Sequence, residues 1–213
     1  MLKFPSIFLL CLLLVGCTAE PEPAVQKPQT TDPLLVPYDL PEIGKRVSLP
    51  HIFEDISIDD WTREILAAES ADRKDLYEFQ QLMNRALTLP RNSRVFLDTV
   101  DLKTNISFFP APIYQALDAQ IAGQYKALLA QQFRQRYPEG SDVLYEEVDS
   151  KYMQSGRREG LMIKYKLAPA DEEPMYITQY VLDDGRRNTI MHVVSPEAKR
   201  DYLSVATSLK DLR

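Results

Sequence analysis

Four segments in the second half of the chain have the pattern of β-strands. Each is rich in β-branched and aromatic residues, and Gly or Pro lies between neighbouring segments. In the second of them, Leu161, Ile163 and Tyr165 share one face, while Met162, Lys164 and Lys166 share the other. Short connections favour antiparallel pairing with one covered face. The four segments are VLYEEV (143–148), LMIKYKL (161–167), MYITQYVL (175–182) and NTIMHVV (188–194).

Four other segments have the apolar spacing of α-helices. In the strongest, apolar residues recur at intervals of three and four, and the pattern stops before Pro138 and Gly140. The last begins at Pro196, which suits a first helical turn, with Ser195 as the N-cap. The first two predict a helical hairpin that packs on the main body. The predicted helices are 58–69, 72–87, 113–136 and a closing helix from 196.

The segment RVFLDTVDLKTNISFF, residues 94–109, predicts one or two further strands ahead of the long helix. The order of elements is then strand, long helix, four strands and helix. We therefore predict an α+β fold. In it, an antiparallel sheet is covered by a long helix and a C-terminal helix, with an N-terminal helical hairpin.

This order, with the closing phrase SVATSLKDLR (204–213), resembles the PsbP-like/DcrB-like fold. The resemblance covers about 92–213 and is one of architecture and a similar ending, without a sharp motif. It implies a protein that is not an enzyme and that assists larger membrane complexes. No metal site is carried over, because no family motif matches residue by residue.

The first sixteen residues have the pattern of an export signal. Lys3 precedes an apolar run from Ile7 to Val15, which is shorter than the roughly 20 residues of a permanent transmembrane helix. The sequence LVGC at 14–17 resembles the bacterial lipobox. The resemblance implies cleavage before Cys17, acylation of Cys17 and attachment to a membrane through lipid. The alternative is an ordinary signal peptide that happens to contain a cysteine.

Cleavage would also remove Cys11, so the mature chain would hold no free thiol. Thr18 follows Cys17. In the enterobacterial sorting rule, Asp at that position retains a lipoprotein at the inner membrane. We therefore expect the outer membrane, with the protein facing the periplasm, to be favoured over the inner membrane.

Seven of the fifteen prolines fall between Thr18 and His51 and predict an extended tether. This pattern divides the chain into four regions. We expect a lipoprotein signal peptide, a lipidated cysteine with a proline-rich tether, a helical segment and an α+β domain. Their ranges are 1–16, 17–50, 51–91 and 92–213.

Charge and motifs exclude several classes of protein. The formal net charge of −6 disfavours nucleic acid as a partner. The sequence has no G-x-S-x-G, no H-E-x-x-H, no glycine-rich phosphate loop and no EF-hand spacing. His51 and His192 are the only histidines, and loss of the thiols excludes a Cys–His pair. We predict a protein that is not an enzyme and that uses no cofactor and no metal.

Tyrosines are concentrated in the strand region, where packing is their usual role. An alternative is a face that binds a small ligand or a glycan. Its residues would be Tyr165, Tyr176 and Tyr180.

Arginines flank two of the predicted turns. In an antiparallel meander, the turns at 154–158 and 183–187 lie at the same end of the sheet. Forked guanidinium donors there would suit phosphate or carboxylate groups of an acidic partner. The alternative is a solvated turn, since Glu159, Asp183 and Asp184 dilute the positive charge. The arginines of this predicted patch are Arg157, Arg158, Arg186 and Arg187.

The sequence thus predicts a lipid-anchored envelope protein that faces the periplasm. We expect it to act as an accessory or assembly subunit of a membrane-associated complex. The alternative is a lipoprotein that binds a small ligand or glycan on the tyrosine-rich sheet face.

Overall fold

The computed structural model describes residues 34–56, 60, 89–90, 93–155, 158–170 and 173–212. Within these ranges the chain forms ten strands and two α-helices. The strands of the first half are β1 (Leu35–Leu40), β2 (Lys45–Pro50), β3 (Phe53–Ile56), β4 (Arg94–Asp98) and β5 (Asn105–Pro110). The later strands are β6 (Val143–Ser155), β7 (Arg158–Pro169), β8 (Met175–Asp183), β9 (Asn188–Ser195) and β10 (Lys210–Asp211). The helices are α1 (Ala119–Arg136) and α2 (Leu203–Ser208).

Seven strands form one antiparallel sheet in the order β3-β4-β5-β9-β8-β7-β6. Every residue of β9 is buried, so other elements cover both faces of the sheet at its centre. The predicted meander of four strands is present as β6 to β9. A β-bulge at Val148 shifts the register of β6. Beyond it, Tyr152 lies on the same face as Tyr145, and both pack against the core as the strand continues to Ser155.

Helix α1 covers one face of this sheet. Asp118 is its N-cap, and the Asp118 carboxylate accepts a hydrogen bond of 2.7 Å from the Ile121 backbone N–H. Three helix residues at helical spacing are buried against apolar residues of β7 and β8. These helix residues are Ala122, Leu129 and Phe133.

A smaller sheet and helix α2 cover the opposite face. The small sheet has the order β1-β2-β10, and α2 packs beside it. Apolar residues from both sheets and from α2 form a second core cluster, and most of their side chains are fully buried. The cluster includes Leu40, Val47, Leu49, Phe108, Met191 and Val205.

The predicted α+β class, with helices as the main cover of a single sheet, is wrong. The described chain is mainly antiparallel β-sheet, with ten strands in two sheets and helices of only 18 and 6 residues. Two of the three strands of the second sheet, β1 and β2, lie in the stretch that we expected to be part of a tether. Pro37 is compatible with a strand there, because β1 is at the edge of its sheet. Pro41 lies outside the strand, at the beginning of the turn that follows it.

Both predicted helices in the described part are shorter than their patterns. Residues 111–118 are not helical, because their backbone groups bond to the end of β8 and the start of β9 instead. Leu117 N–H donates to the Asp183 carboxylate at 2.8 Å, and the Asn188 side chain donates to the Gln115 carbonyl at 2.8 Å. The closing helix starts at Leu203 rather than at Pro196, and the chain after it enters β10.

Several predictions fall outside the described residues. These are the helical hairpin over 58–69 and 72–87 (apart from the helical Asp60), the lipobox with Cys17, and Arg157. Among the helices of the described residues, none is long and apolar enough to cross a bilayer.

Candidate functional site

A cleft of about 640 Å³ lies between α1 and the neighbouring strands of the seven-stranded sheet. We call it the helix–sheet cleft. Strands β5, β7, β8 and β9 supply its floor, and the last turns of α1 form one wall. Its lining combines aromatic rings with uncharged polar side chains, and these include Phe109, Tyr125, Phe133, Tyr165, Gln179 and His192.

A row of buried polar side chains crosses the floor of the sheet. Gln179 in β8 pairs with His192 in β9, and His192 pairs with Ser107 in β5. Directly paired residues of adjacent strands point to the same face, and neighbouring strands are about 4.8 Å apart. All three residues are buried, although Ser107 does not reach the cleft lining. The row therefore offers hydrogen-bonding groups at regular intervals along one direction.

Helix α1 supplies a partner for one member of the row. The Gln179 side-chain amide donates a hydrogen bond of 2.5 Å to the Tyr125 hydroxyl. In contrast, His192 Nδ1, the Ser107 hydroxyl and the Tyr165 hydroxyl are buried without a hydrogen-bond partner among the residues described. A buried polar atom without a partner costs about 1–3 kcal/mol. His192 and Tyr165 also line the cleft, so a small shift of either side chain would let a ligand or an ordered water in the cleft complete its bonding.

Burial keeps the interior of the cleft uncharged near neutral pH. It lowers the pKa of His192 to about 4, so the imidazole is neutral. Burial likewise raises the pKa of Tyr125 and of Tyr165 to about 12, so both hydroxyls retain their protons. The Phe109 ring lies edge-on to the imidazole, with 4.9 Å between ring centroids, and holds His192 in place.

The structure separates the three tyrosines of the predicted ligand face. Tyr165 lines the helix–sheet cleft. Tyr176 and Tyr180 lie on the opposite face of the sheet, because strand residues alternate and Ile177 is the residue that pairs with Tyr165. Tyr180 is buried there, and its hydroxyl donates to the Asp201 carboxylate at 3.2 Å.

Three of the cleft's polar residues were not predicted as site residues from the sequence. They are Tyr125, Gln179 and His192. The available signal was the occurrence of Gln179 and His192 at inward positions of otherwise apolar strands. Tyr125 lay on the predicted apolar stripe of the long helix, where its hydroxyl gave no indication of a polar contact.

The arginine-bearing turns lie at the same end of the sheet, as the meander requires. Glu159 pairs with Asp183, and Asp183 pairs with Asn188, so the β6–β7 and β8–β9 turns are neighbours. Arg158 donates from Nη1 to the Leu209 carbonyl at 2.8 Å. The side chains that meet at this end are of both charges: Lys45, Arg158, Arg186, Arg187, Glu159, Asp183, Asp184 and Asp211.

In the described ranges, no group of three or more His, Cys, Asp or Glu side chains is placed to hold a metal ion.

Comparison with known proteins finds similarity of fold among solved structures. No family model matches the sequence, and no curated protein matches it. The structure is similar to the solution structure of cyanobacterial PsbP (CyanoP) from Synechocystis sp. PCC 6803, with 12% identity and a TM-score of 0.49. The match covers 89% of this chain and 99% of that chain. A PsbP structure is thus among the similar folds.

Proposed function

We propose that this chain is a lipid-anchored, non-enzymatic binding protein of the bacterial envelope, and that its folded domain holds a small ligand in the helix–sheet cleft. The observation that carries the proposal is the pair of buried, unpartnered polar atoms on two side chains that line the cleft, His192 Nδ1 and the Tyr165 hydroxyl. The volume of the cleft lies within the range of roughly 300–1,000 Å³ that is typical of small-molecule sites.

The ligand proposal is tested by blocking the mouth of the cleft. Gln132 is an exposed residue of α1 that lines the cleft, and its neighbour Gln131 is exposed but does not line it. Gln132→Trp fills the mouth without touching the core, and Gln131→Trp is the matched control. Native mass spectrometry of each protein, purified from cells and then offered a small-molecule library, measures what is retained.

We expect the wild type and Gln131→Trp to retain a small molecule that Gln132→Trp loses. Retention of the same molecules by all three proteins, or by none of them, would contradict the proposal.

The anchor is proposed to be lipid on Cys17. Thr18 after it favours the outer membrane, with the domain facing the periplasm, over the inner membrane. Cells that produce the wild type and Cys17→Ser would be labelled with a fatty acid and fractionated. We expect the label only on the wild type, and in the outer-membrane fraction. An unlabelled wild type, or equal labelling of the two proteins, would remove the anchor from the proposal. Label in the inner-membrane fraction would overturn the placement alone.

A second candidate function is the accessory role in a membrane-associated complex, and the edge strand β6 favours it. At this edge of the seven-stranded sheet, Leu144 is 71% exposed and Val148 is 48% exposed. Glu146 and Asp149 are exposed beside them. These features suit an extended segment of a partner protein that adds to β6 and carries basic side chains opposite the two carboxylates.

The accessory role is tested by crosslinking in intact cells, followed by affinity purification and mass spectrometry. Leu144→Lys places a charge on the docking edge. Val100→Lys is the matched control, because Val100 is an apolar residue of similar exposure, 80%, in the β4–β5 turn. We expect one envelope complex to be recovered with the wild type and with Val100→Lys, but not with Leu144→Lys. Equal recovery with all three proteins would place the partner surface elsewhere.

The arginine patch also remains a proposal, as a docking surface for an acidic partner. Charge reversal at Arg157 and Arg186 in the same experiment tests it. Unchanged recovery of the complex would exclude the patch.

A further inference from the structure

We infer that the ligand of the helix–sheet cleft is an uncharged ring with several hydroxyl groups, such as a neutral sugar. This inference rests on the proposed function, since it names the chemistry of the molecule that the cleft would hold. It follows from the charge of the lining, from the hydrogen-bonding capacity of the polar row, and from the aromatic walls.

The charge of the lining disfavours a charged ring in the interior. No carboxylate lines the cleft in the described part of the chain, so a cation would have no counter-charge there. The one formally charged lining residue is Arg136, and it lies exposed near the end of α1 rather than on the sheet floor. A charge buried without a close partner is strongly disfavoured, whereas an uncharged ring avoids this cost.

The hydrogen-bonding groups of the cleft match hydroxyl groups on a ligand. A tyrosine hydroxyl, a glutamine amide and a neutral imidazole can each donate and accept hydrogen bonds. Because a ligand hydroxyl also does both, it can bond to His192 Nδ1 in either tautomer and to the Tyr165 hydroxyl in either direction. Gln179 and His192 both line the cleft and lie on adjacent strands about 4.8 Å apart, so a ligand that bonds to both needs more than one hydroxyl group.

Aromatic rings complete the match with the apolar faces of such a ring. The Phe133 and Tyr165 rings pack together with 4.5 Å between centroids and form one wall. Phe109 lies on the other side, held against His192. A sugar ring has C–H faces that pack on aromatic rings and an edge of hydroxyl groups, so one molecule satisfies both parts of the lining.

Saturation-transfer NMR tests the ligand class with three sets of probes. The first contains neutral hexoses, N-acetylhexosamines and their disaccharides. The second contains charged rings of the same shape, glucuronate and glucosamine. The third contains neutral aromatic rings with one hydroxyl group, such as phenol. Each set is measured with the wild type, Gln132→Trp and Gln131→Trp, and titrations give the affinities.

We expect at least one neutral sugar to bind the wild type and Gln131→Trp at least tenfold more tightly than Gln132→Trp. We also expect the charged rings to bind the wild type at least tenfold more weakly than that sugar. His192→Phe, which keeps a ring of similar size but lacks the imidazole nitrogens, should weaken the sugar and leave phenol unaffected.

The opposite results separate the ligand class from the site. One set of results would show that the ligand class is wrong while the cleft remains a ligand site. In it, phenol or a charged ring binds, Gln132→Trp blocks that binding, and no neutral sugar binds. If no probe binds and native mass spectrometry finds no difference between Gln132→Trp and Gln131→Trp, both the ligand class and the proposed function fail.

Discussion

The side-chain amide of Gln179 donates a hydrogen bond to the Tyr125 hydroxyl, with 2.5 Å between nitrogen and oxygen, and so joins β8 to α1. Tyr125→Phe keeps the ring and removes the acceptor. We expect the free energy of unfolding to fall by about 1 kcal/mol, because the buried amide loses its partner. Urea unfolding measures the change, and Tyr114→Phe, at an exposed tyrosine, is the control. Equal stability of the wild type and Tyr125→Phe would show that the bond contributes nothing to folding.

The depressed pKa of His192 predicts that stability depends on pH. Because its pKa falls from 6.5 in the unfolded chain to about 4 in the folded one, only the unfolded state takes up a proton between these values. Stability contributed by neutral His192 is therefore complete above pH 6.5 and is lost as the pH falls to about 4. The pKa difference corresponds to roughly 3 kcal/mol.

His192→Gln removes this titration and should flatten the dependence of stability on pH over the same window. Chemical unfolding at several values between pH 4 and 7 measures it for the wild type and the variant. The exposed His51 provides the control His51→Gln, which should keep the slope of the wild type. An unchanged slope in His192→Gln would assign the pH dependence to other groups.

Removal of the buried Asp98 carboxylate should lower the free energy of unfolding strongly. Asp98 is 1% exposed, and its Oδ1 accepts bonds of 2.9 and 3.0 Å from the Val100 and Asp101 backbone N–H groups. Arg200 donates from Nη2 to Asp98 Oδ2 at 2.7 Å. Asp98→Ala leaves these donors without their acceptor, and we expect a loss of about 3–5 kcal/mol.

The control for this prediction is Asp39→Ala. Asp39 forms a salt bridge with Arg46 at the surface, and solvent screens such pairs. Thermal and urea unfolding of both variants should show a much larger loss for Asp98→Ala. Similar losses would contradict the structural role assigned to the buried carboxylate.

Much of the seven-stranded sheet could be predicted, because its strands alternate or run apolar along the chain. Tyr165 and Ile163 show this. Their alternate positions in the sequence predict that they share one face of the strand, and in the fold both lie in the same core cluster. The small sheet could not be predicted, because the partner of β2 on one side is Lys210–Asp211, more than 150 residues away in the sequence. Local patterns carry no information on such a pairing.

The cleft could not be predicted for a related reason. Its polar row exists only because the register places Ser107, His192 and Gln179 opposite one another. The register depends on which strands pair. In the sequence, each of these residues is an isolated polar position, and nothing indicates that the three lie side by side. The predicted tyrosine face failed to assemble because odd and even positions of the strands point to opposite faces.

Removing the charge of Lys45 should loosen the C-terminal strand β10 locally, without unfolding the rest of the protein. It is 6% exposed, and its ammonium group binds Asp184 and, at 2.6 Å, Asp211 in β10. The strand β10 pairs with β2 through only two residues. Lys45→Met preserves most of the apolar stem and removes the charge, so the salt bridge between β2 and β10 is lost.

We expect Lys45→Met to speed hydrogen exchange at the Leu212 amide, which donates to the Gly44 carbonyl at 3.0 Å. The Asp184 Oδ1 still accepts hydrogen bonds of 2.8 Å from the backbone N–H groups of Arg186 and Arg187. The amides of the β8–β9 turn should therefore remain protected from hydrogen exchange. Lys210→Met, at an exposed lysine of β10 itself, is the control and should leave the Leu212 amide unchanged. If Lys45→Met left the protection of Leu212 intact, the pairing with β2 alone would hold β10, and the two carboxylates would serve only to neutralise a buried charge.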